Sequence, residues 1–206
     1  MNDKPADLLL CGVDEVGRGA AVGDIFAAAC ILPLDHGMKL KDSKKLSPRQ
    51  REALAREIRK EAVAWGIGRV DCGEIKLLNV HRASLVAMER AVLGLSTHPN
   101  RVIVDGRFPL SLPFPCRSLV GADDTVPAVS AASILAKVAR DAYMDGLHKR
   151  YPEYGFNRNR GYLTSFHKET LMSLGPCPEH RLHYRPVQQA LQRFTSFEEK
   201  TLFKDE

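Results

Sequence analysis

The most constraining feature of this sequence is an apolar run near its start that ends in two adjacent carboxylates and a glycine-rich turn. Residues 8–13 are apolar enough to form a buried strand, and Asp14 and Glu15 follow them directly. Paired carboxylates at a strand end can hold hard, oxygen-preferring cations. The glycines of Gly17-Arg18-Gly19 let a main chain approach a sugar or phosphate, because no side chain stands in the way. Together these residues suggest an enzyme that acts on a phosphodiester.

The rest of the chain alternates between predicted strands and helices. Residues 25–32 predict a second strand, close enough to the first one to form a hairpin. Ser47 is a good start for a helix that runs to about residue 64, with Pro48 at N1 and Gln50 completing a capping box. The other predicted elements are strands at 65–72, 101–106 and 117–120, helices at 74–95 and 126–149, and short helices from about residues 164 and 187. This order predicts an α/β domain with a mixed sheet.

Composition limits the class of protein. The 206 residues fit one domain with a sizeable core, and 44% hydrophobic with 27% charged residues is normal for a soluble globular protein. A formal charge of +5 favours a polyanionic partner. Five cysteines without a CxxC pair, and a start without the layout of a signal peptide, predict a reduced, cytoplasmic location. The sequence has no apolar run long enough to span a bilayer, so we expect no membrane association.

Three acidic sites share one context, because each lies at or just past the end of an apolar strand. They are Asp14-Glu15, Asp105, and Asp123-Asp124. Strand ends of this kind converge at one edge of an α/β sheet. Convergent carboxylates repel one another unless cations neutralise them, and phosphoryl-transfer enzymes use two divalent ions about 3.5–4 Å apart. Any single carboxylate could instead cap a helix or form an ion pair.

Asp14 and Glu15 can share one site only if the strand geometry allows it. Neighbouring residues in a regular strand point to opposite faces of the sheet. Asp14 and Glu15 therefore share a site only if the strand ends or bulges there, which the glycines after them permit.

Other candidate residues give weaker signals. Lys44 and Lys45 could contact backbone phosphates, although a solvated loop is the simpler interpretation. Tyr162 could stack on a sugar or base, or could simply pack. His180 and His183 form only a weak metal-binding pattern, for which a structural or substrate-side role is favoured. The glycines near residue 17 match neither the dinucleotide fingerprint nor a P-loop.

Taken in order, these segments resemble the type 2 ribonucleases H, specifically the bacterial ribonuclease HII family. The matching stretches are residues 12–19, 42–47, 104–106, 126–138 with 140–141, 151–156, 161–162 with 167, and 180–181. The likeness covers about residues 8 to 190. Each motif is short, but their shared order and spacing make the match specific.

The resemblance implies an RNase H-like fold with a five-stranded mixed sheet flanked by helices and a helical C-terminal part. We assign residues 1–190 to this catalytic domain and residues 191–206 to a charged, flexible tail. The implied activity is endonucleolytic cleavage of the RNA strand in RNA–DNA hybrids and at single ribonucleotides in duplex DNA. The products would carry 3′-hydroxyl and 5′-phosphate ends. Nothing in the sequence demands more than a monomer, so we expect a monomer.

The resemblance also assigns roles to residues. Asp14, Glu15, Asp105 and Asp123 would be catalytic metal ligands for Mg²⁺ or Mn²⁺, with Asp124 as the alternative fourth acid. The substrate would be bound by residues that read the ribose 2′-hydroxyl, contact phosphates and press on the sugar beside the junction. These residues are Gly17, Arg18 and Gly19 for the hydroxyl, Lys44 and Lys45 for phosphates, and Tyr162 for the sugar.

The sequence departs from the family pattern just after the first glycines. Residues 20–24 read Ala-Ala-Val-Gly-Asp, where the family has proline and then a second Gly-Pro. We expect a less rigid loop there and an additional carboxylate, Asp24, near the site. A loop altered in this way raises the alternative of a catalytically silent hybrid-binding protein. Ribonuclease HIII is disfavoured because it carries an extra N-terminal domain, and a DNA-specific nuclease is disfavoured by the Gly-Arg-Gly and Tyr162 pairing.

Overall fold

The hairpin predicted at the start of the chain lies at the centre of a five-stranded sheet. The computed structural model describes residues 9–40 and 46–202. The strands are β1 (Leu10–Val16), β2 (Ile25–Ile31), β3 (Ala64–Val70), β4 (Arg101–Asp105) and β5 (Cys116–Leu119), in the order β3-β2-β1-β4-β5. Pairing is antiparallel from β1 to β2 and from β2 to β3, and parallel from β1 to β4 and from β4 to β5. The predicted hairpin and mixed sheet are confirmed.

The predicted helices are present in the predicted order, with small shifts at their ends. The observed helices are α1 (Pro48–Glu61), α2 (Cys72–Leu93), α3 (Ala122–Thr125), α4 (Pro127–Arg150), α5 (Phe156–Asn159), α6 (Ser165–Leu174) and α7 (Arg185–Leu202). Two of these, the short helices α3 and α5, were not predicted. The capping box at the start of α1 is confirmed, because the Ser47 hydroxyl accepts from the Gln50 N–H while Gln50 Oε1 accepts from the Ser47 N–H at 3.0 Å. Helix α1 ends before residue 64, since Ala64 already pairs with Ile31. No helix in the described part of the chain is long and apolar enough to cross a membrane.

The chain divides into two compact units. The first unit holds the whole sheet and comprises Met1–Arg18, Ile25–Val70 and His81–Arg140. The second comprises Gly19–Asp24, Asp71–Val80 and Asp141–Glu206, and it has its own apolar core around Met144, Tyr154 and Phe156. The assignment of residues 1–190 to a catalytic domain and 191–206 to a tail stays a prediction. Helix α7 runs continuously past residue 190 to Leu202.

Helix α4 packs directly on strand β1 where the strand carries a glycine. A Cβ added to Gly12 would lie 2.1 Å from both the carbonyl carbon of Ala128 and the backbone nitrogen of Val129. The next turns of α4 present small buried residues, among them Ala131 and Ala132, to the core. Close approach of helix and strand therefore depends on the missing side chain at Gly12.

Gly12→Ala is expected to lower the free energy of unfolding by about 3 kcal/mol, because backbone atoms of α4 cannot move aside as a flexible side chain could. Gly146→Ala is the matched control. Gly146 lies inside α4 with nothing within 4 Å of an added Cβ, so this change should stabilise the helix by about 0.5–1 kcal/mol. Urea unfolding of the variants measures both effects. Equal stabilities for Gly12→Ala and the unmodified protein would contradict the close packing.

Candidate active site

Three of the predicted carboxylates meet in the first unit. Asp14 lies on β1, Asp105 ends β4, and Asp123 belongs to the first turn of α3. One oxygen from each lies within 4.8 Å of the other two. Strands β1 and β4 are parallel neighbours, which brings Asp14 and Asp105 to one edge of the sheet. The Ala122 N–H donates to Asp105 Oδ1 at 3.0 Å and so fixes the start of α3 beside that edge.

The structure distinguishes between the two adjacent aspartates of α3. Asp123 is buried, joins the cluster, and its carbonyl accepts a hydrogen bond from the Ser130 hydroxyl. Asp124 is exposed and lines a separate surface cavity of about 480 Å³, together with Lys39 and Pro127. Of the two candidates for the fourth acid, the fold brings Asp123 to the other carboxylates.

Glu15 lies beside the cluster without joining it. Strand β1 neither ends nor bulges at the pair, because Asp14 pairs with Ala28 and Glu15 with Ala27 in regular register up to Val16. The condition for a fully shared site is therefore not met. The Glu15 carboxylate instead lies 3.9 Å from the Arg18 guanidinium, while its N–H donates to Asp14 Oδ1 at 2.8 Å.

Burial and mutual repulsion disfavour negative charge in this cluster. Burial, and then the charges of Glu15 and Asp105, raise the pKa of Asp14 to about 7, against a hydrogen bond from the Ser133 side chain. Burial also raises the pKa of Glu15, with Arg18 opposing the shift. Carboxylate oxygens are the preferred ligands of hard divalent cations, and a cation relieves their repulsion. Asp14, Asp105 and Asp123 therefore fit a divalent metal.

The first part of the glycine turn also belongs to the first unit. Gly17 has φ +91°, a conformation that favours glycine, and an added Cβ would lie 2.1 Å from Nε of the fully buried Arg140. Arg18 exposes about half of its side chain, and its Nη2 lies 3.4 Å from His81 Nδ1. Arg140 is thus a support for the turn that the sequence interpretation missed.

Gly19 and Tyr162 are neighbours in the second unit. An added Cβ on Gly19 would lie 3.8 Å from Tyr162 Cε1, and the Tyr162 side chain is 42% exposed. The Ala21 N–H donates to the Gly161 carbonyl at 2.9 Å, which joins the two segments. Two predicted substrate-binding residues therefore face the same space. Lys44 and Lys45 lie outside the described residues.

Hydrogen bonds hold the backbone of the loop at residues 20–24, whose lower rigidity stays a prediction. The buried Arg181 donates from Nη1 to the Ala20 carbonyl at 2.7 Å and from Nε to the Gly23 carbonyl at 2.8 Å. The Gly23 N–H donates to the Glu179 carbonyl at 2.9 Å.

Asp24 is not a member of the group formed by Asp14, Asp105 and Asp123, and its place near the site stays a prediction. It lies in the second unit, in a group with Cys72 and Glu179. The Tyr143 hydroxyl is 3.2 Å from Asp24 Oδ1 and 3.3 Å from Glu179 Oε2. Asp24 is therefore part of the internal packing of its own unit.

Asn79 is a second residue that the sequence interpretation missed. Helix α2 breaks there, with φ 64° and ψ 163°, in a region that is almost restricted to glycine. Backbone strain of this kind is concentrated at functional sites, which makes Asn79 a candidate substrate contact. The helical spacing of apolar residues continues across the break, so periodicity alone could not reveal it.

The chain is similar to known ribonucleases H both in fold and in sequence. The fold matches a solved ribonuclease H2 from Pyrococcus horikoshii OT3, with a TM-score of 0.77 and 26% identity over 90% of this chain and 98% of that one. The family model described as Ribonuclease HII matches residues 11–187. A ribonuclease HII from Desulforamulus reducens is 50% identical over 89% of this chain and 93% of its own length. A ribonuclease HII from Hydrogenovibrio crunogenus is 48% identical over 91% of this chain and 90% of its own length. The chain belongs to the ribonuclease HII family.

Proposed function

We propose that this chain is a metal-dependent endoribonuclease that cuts the RNA strand of RNA–DNA hybrids. It also cuts on the 5′ side of single ribonucleotides embedded in duplex DNA, leaving 3′-hydroxyl and 5′-phosphate ends. The observation that carries the proposal is the meeting of Asp14, Asp105 and Asp123 in a member of the ribonuclease HII family. A cluster of buried carboxylates without a metal is costly, which argues for a catalytic rather than a structural role.

The proposed metal ligands are Asp14, Asp105 and Asp123, with Glu15 beside them, and the proposed metal is Mg²⁺ or Mn²⁺. Divalent metal in such a site activates water and stabilises the departing oxygen of a phosphodiester. A carboxyl group must lose its proton to act as a metal ligand. Burial and acidic neighbours raise the pKa of Asp14 to about 7, so metal binding at Asp14 would release a proton near neutral pH. Arg18, half exposed beside Glu15, is suited to donate to a substrate phosphate.

Recognition of the ribonucleotide is proposed for the glycine turn and Tyr162. Gly17, Arg18 and Gly19 would read the 2′-hydroxyl, the group that distinguishes RNA from DNA; Arg18 and Gly19 are exposed, whereas Gly17 is buried. Arg140 fills the space under Gly17, and the Tyr162 ring lies beside Gly19. Lys44 and Lys45 would add sequence-independent contacts to phosphates.

The proposal includes a monomeric protein in the cytoplasm. All five cysteines are free, and burial raises the pKa of the Cys72 and Cys177 thiols to about 11. Thiols with raised pKa values are poor nucleophiles at neutral pH, which suits a structural role in a reducing compartment. Elution volume with light scattering tests the monomer.

The test of the proposed function is cleavage of a labelled DNA duplex that contains one ribonucleotide, with Mg²⁺, with Mn²⁺ and with a chelator. We expect one metal-dependent cut on the 5′ side of the ribonucleotide and no cut in the matched all-DNA duplex. Binding without any cut would favour the alternative, a catalytically silent hybrid-binding protein. That alternative depended on a less rigid loop at residues 20–24, and the hydrogen bonds from Arg181 weaken it.

Tyr162→Ala is expected to lower cleavage at a single embedded ribonucleotide by about 10- to 100-fold, because the loss of one stacking contact costs about 1–3 kcal/mol. Cleavage within a continuous hybrid should fall less, since neighbouring ribonucleotides offer alternative registers. Tyr162→Phe keeps the ring and should retain most activity. Initial rates on the two substrates measure the effect, and an unchanged single-ribonucleotide rate would remove Tyr162 from recognition.

A further inference from the structure

Two buried histidines connect two segments of the second unit, one that holds Tyr162 and His167 and one that holds Cys177 and His180. His167, on α6, has no exposed surface, and His180 is 3% exposed. Their Nε2 atoms lie 3.1 Å apart. On the far sides of the pair, His180 Nδ1 is 3.0 Å from the Cys177 backbone nitrogen, and His167 Nδ1 is 2.9 Å from the Tyr162 carbonyl oxygen. These contacts form a continuous chain from Cys177 to Tyr162, which we call the histidine relay.

The Tyr162 carbonyl determines where the protons of the relay lie. His180 Nδ1 lies 3.0 Å from the Cys177 N–H, which can only donate, and 3.2 Å from the Cys177 carbonyl oxygen, which can only accept. The Tyr162 end therefore decides the arrangement: with both rings neutral, His167 Nδ1 carries a proton, His167 Nε2 accepts, and the His180 proton is on Nε2. His167 Nδ1 donates to the Tyr162 carbonyl, which can only accept. With both rings neutral and arranged in this way, every donor in this chain meets an acceptor.

The surroundings of the relay favour neutral rings. Tyr154 and Phe156 pack around both histidines, with ring centroids between 5.1 and 6.3 Å away. Burial, and then the neighbouring His167, lower the pKa of His180 to about 4, and burial lowers the pKa of His167. Both shifts favour the uncharged rings that the proton arrangement requires.

His180 also anchors the loop that faces Tyr162. Its backbone forms an antiparallel bridge with Val22, and the next residue, Arg181, donates its N–H to the Ala21 carbonyl at 2.8 Å. The backbone of this short segment thus holds the loop that begins at Gly19. The side chain of His180 is connected, through His167, to the Tyr162 carbonyl. Both connections supplement the direct hydrogen bond from the Ala21 N–H to the Gly161 carbonyl, beside the Gly19–Tyr162 contact.

We propose that His167 and His180 are positioning residues that hold the Tyr162 backbone against the Gly19 loop through a directed chain of hydrogen bonds. This inference depends on the proposed role of Tyr162 in recognising the sugar beside a ribonucleotide. Neither histidine touches substrate or metal in this assignment. Loss of the relay lets Tyr162 shift, and a small misplacement at a reacting site lowers the rate on the substrate that needs the residue most.

The key variants differ in the hydrogen bond to Tyr162. His167→Phe keeps a buried ring of similar size but cannot donate, so cleavage at a single ribonucleotide should fall about tenfold, with a smaller loss on continuous hybrid. His167→Asn can place its amide nitrogen near the position of Nδ1 and should restore part of the lost rate. Cys177→Ala is the matched control, because it removes the thiol near His180 but keeps the backbone N–H at the end of the relay.

A double-mutant comparison separates positioning from general packing. When Tyr162 is already alanine, His167→Phe should produce little further selective loss on the single-ribonucleotide substrate, because the residue that it positions is gone. Equal losses on both substrates, or full additivity with Tyr162→Ala, would overturn the proposal and leave the histidines as core residues.

Nitrogen NMR of the unmodified protein tests the relay without any activity measurement. Histidine labelling should show two neutral rings at neutral pH, with His180 protonated at Nε2 and His167 at Nδ1. Other tautomers would overturn the proposal even if His167→Phe fails to fold. If the tautomers are as expected but the protein cuts neither substrate, the proposed function fails and the relay remains as structure.

Discussion

Asp105→Asn is expected to lower the rate of hybrid cleavage about a thousandfold, because a divalent metal contributes several kcal/mol to the stabilisation of charge in the transition state. The variant should stay folded. Asparagine keeps the oxygen that accepts from the Ala122 N–H, so the connection between β4 and α3 survives. Removal of one negative charge from beside Asp14 should also leave the metal-free protein at least as stable as before.

Asp124→Asn is the matched control for this experiment. Asp124 belongs to the same turn of α3 as Asp123 and carries the same charge, but it is exposed and outside the cluster. Its rate should change less than about threefold, since exposed charges contribute little. Single-turnover rates at saturating Mg²⁺ compare the variants directly. If Asp124→Asn strongly lowers the cleavage rate while Asp123→Asn stays active, then Asp124 and not Asp123 is the metal ligand.

The metal-free protein is expected to lose about 4 kcal/mol of stability between about pH 4 and pH 7, through Asp14 alone. The folded protein keeps the Asp14 proton up to a pKa of about 7, whereas the ordinary value is 3.8. Between these values the folded state binds more protons than the unfolded state, so stability falls as pH rises. The cost is absent below pH 3.8 and complete above about pH 7.

Bound metal should reverse this dependence, because it favours the ionised carboxylates. We expect Mg²⁺ or Mn²⁺ to raise the melting temperature, and to raise it more at pH 8 than at pH 6. Asp14→Asn should flatten the pH dependence of the metal-free protein and shrink the gain from metal, while Asp124→Asn should change neither. Thermal unfolding across this pH range provides the measurement. If the stability of the metal-free protein rises with pH, and this rise is absent in Asp14→Asn, then folding lowers the pKa of Asp14 and the predicted direction is wrong.

Local features of the sequence predicted the elements and the identity of the acids. The capping box at Ser47 and the strands that end at Asp14 and Asp105 depend on residues close together in the chain. The parallel pairing of β1 and β4 follows from general rules of α/β sheets, so the convergence of two acids could be expected from the order of the elements alone. The resemblance of ordered motifs then predicted the family correctly.

Residues whose roles depend on distant partners could not be assigned in this way. Asp123 and Asp124 are chemically identical neighbours, and only the orientation of α3 after β5 selects Asp123. Glu15 follows Asp14 in the regular pleat of β1 and so lies beside the three acids that meet, although the glycines after it could have broken that pleat. Asn79 interrupts a helical pattern that shows no break in apolar spacing.

The α/β class, the order of the elements and the acids at the strand ends follow from propensity, capping and periodicity, which are local properties of a sequence. Tertiary packing selects which carboxylates meet, how Arg140 and Arg181 support the glycine turn and its loop, and how His167 and His180 reach Tyr162. The carboxylate and arginine contacts join segments far apart in the chain. Packing and hydrogen-bond geometry, which leave no periodic trace in the sequence, select them.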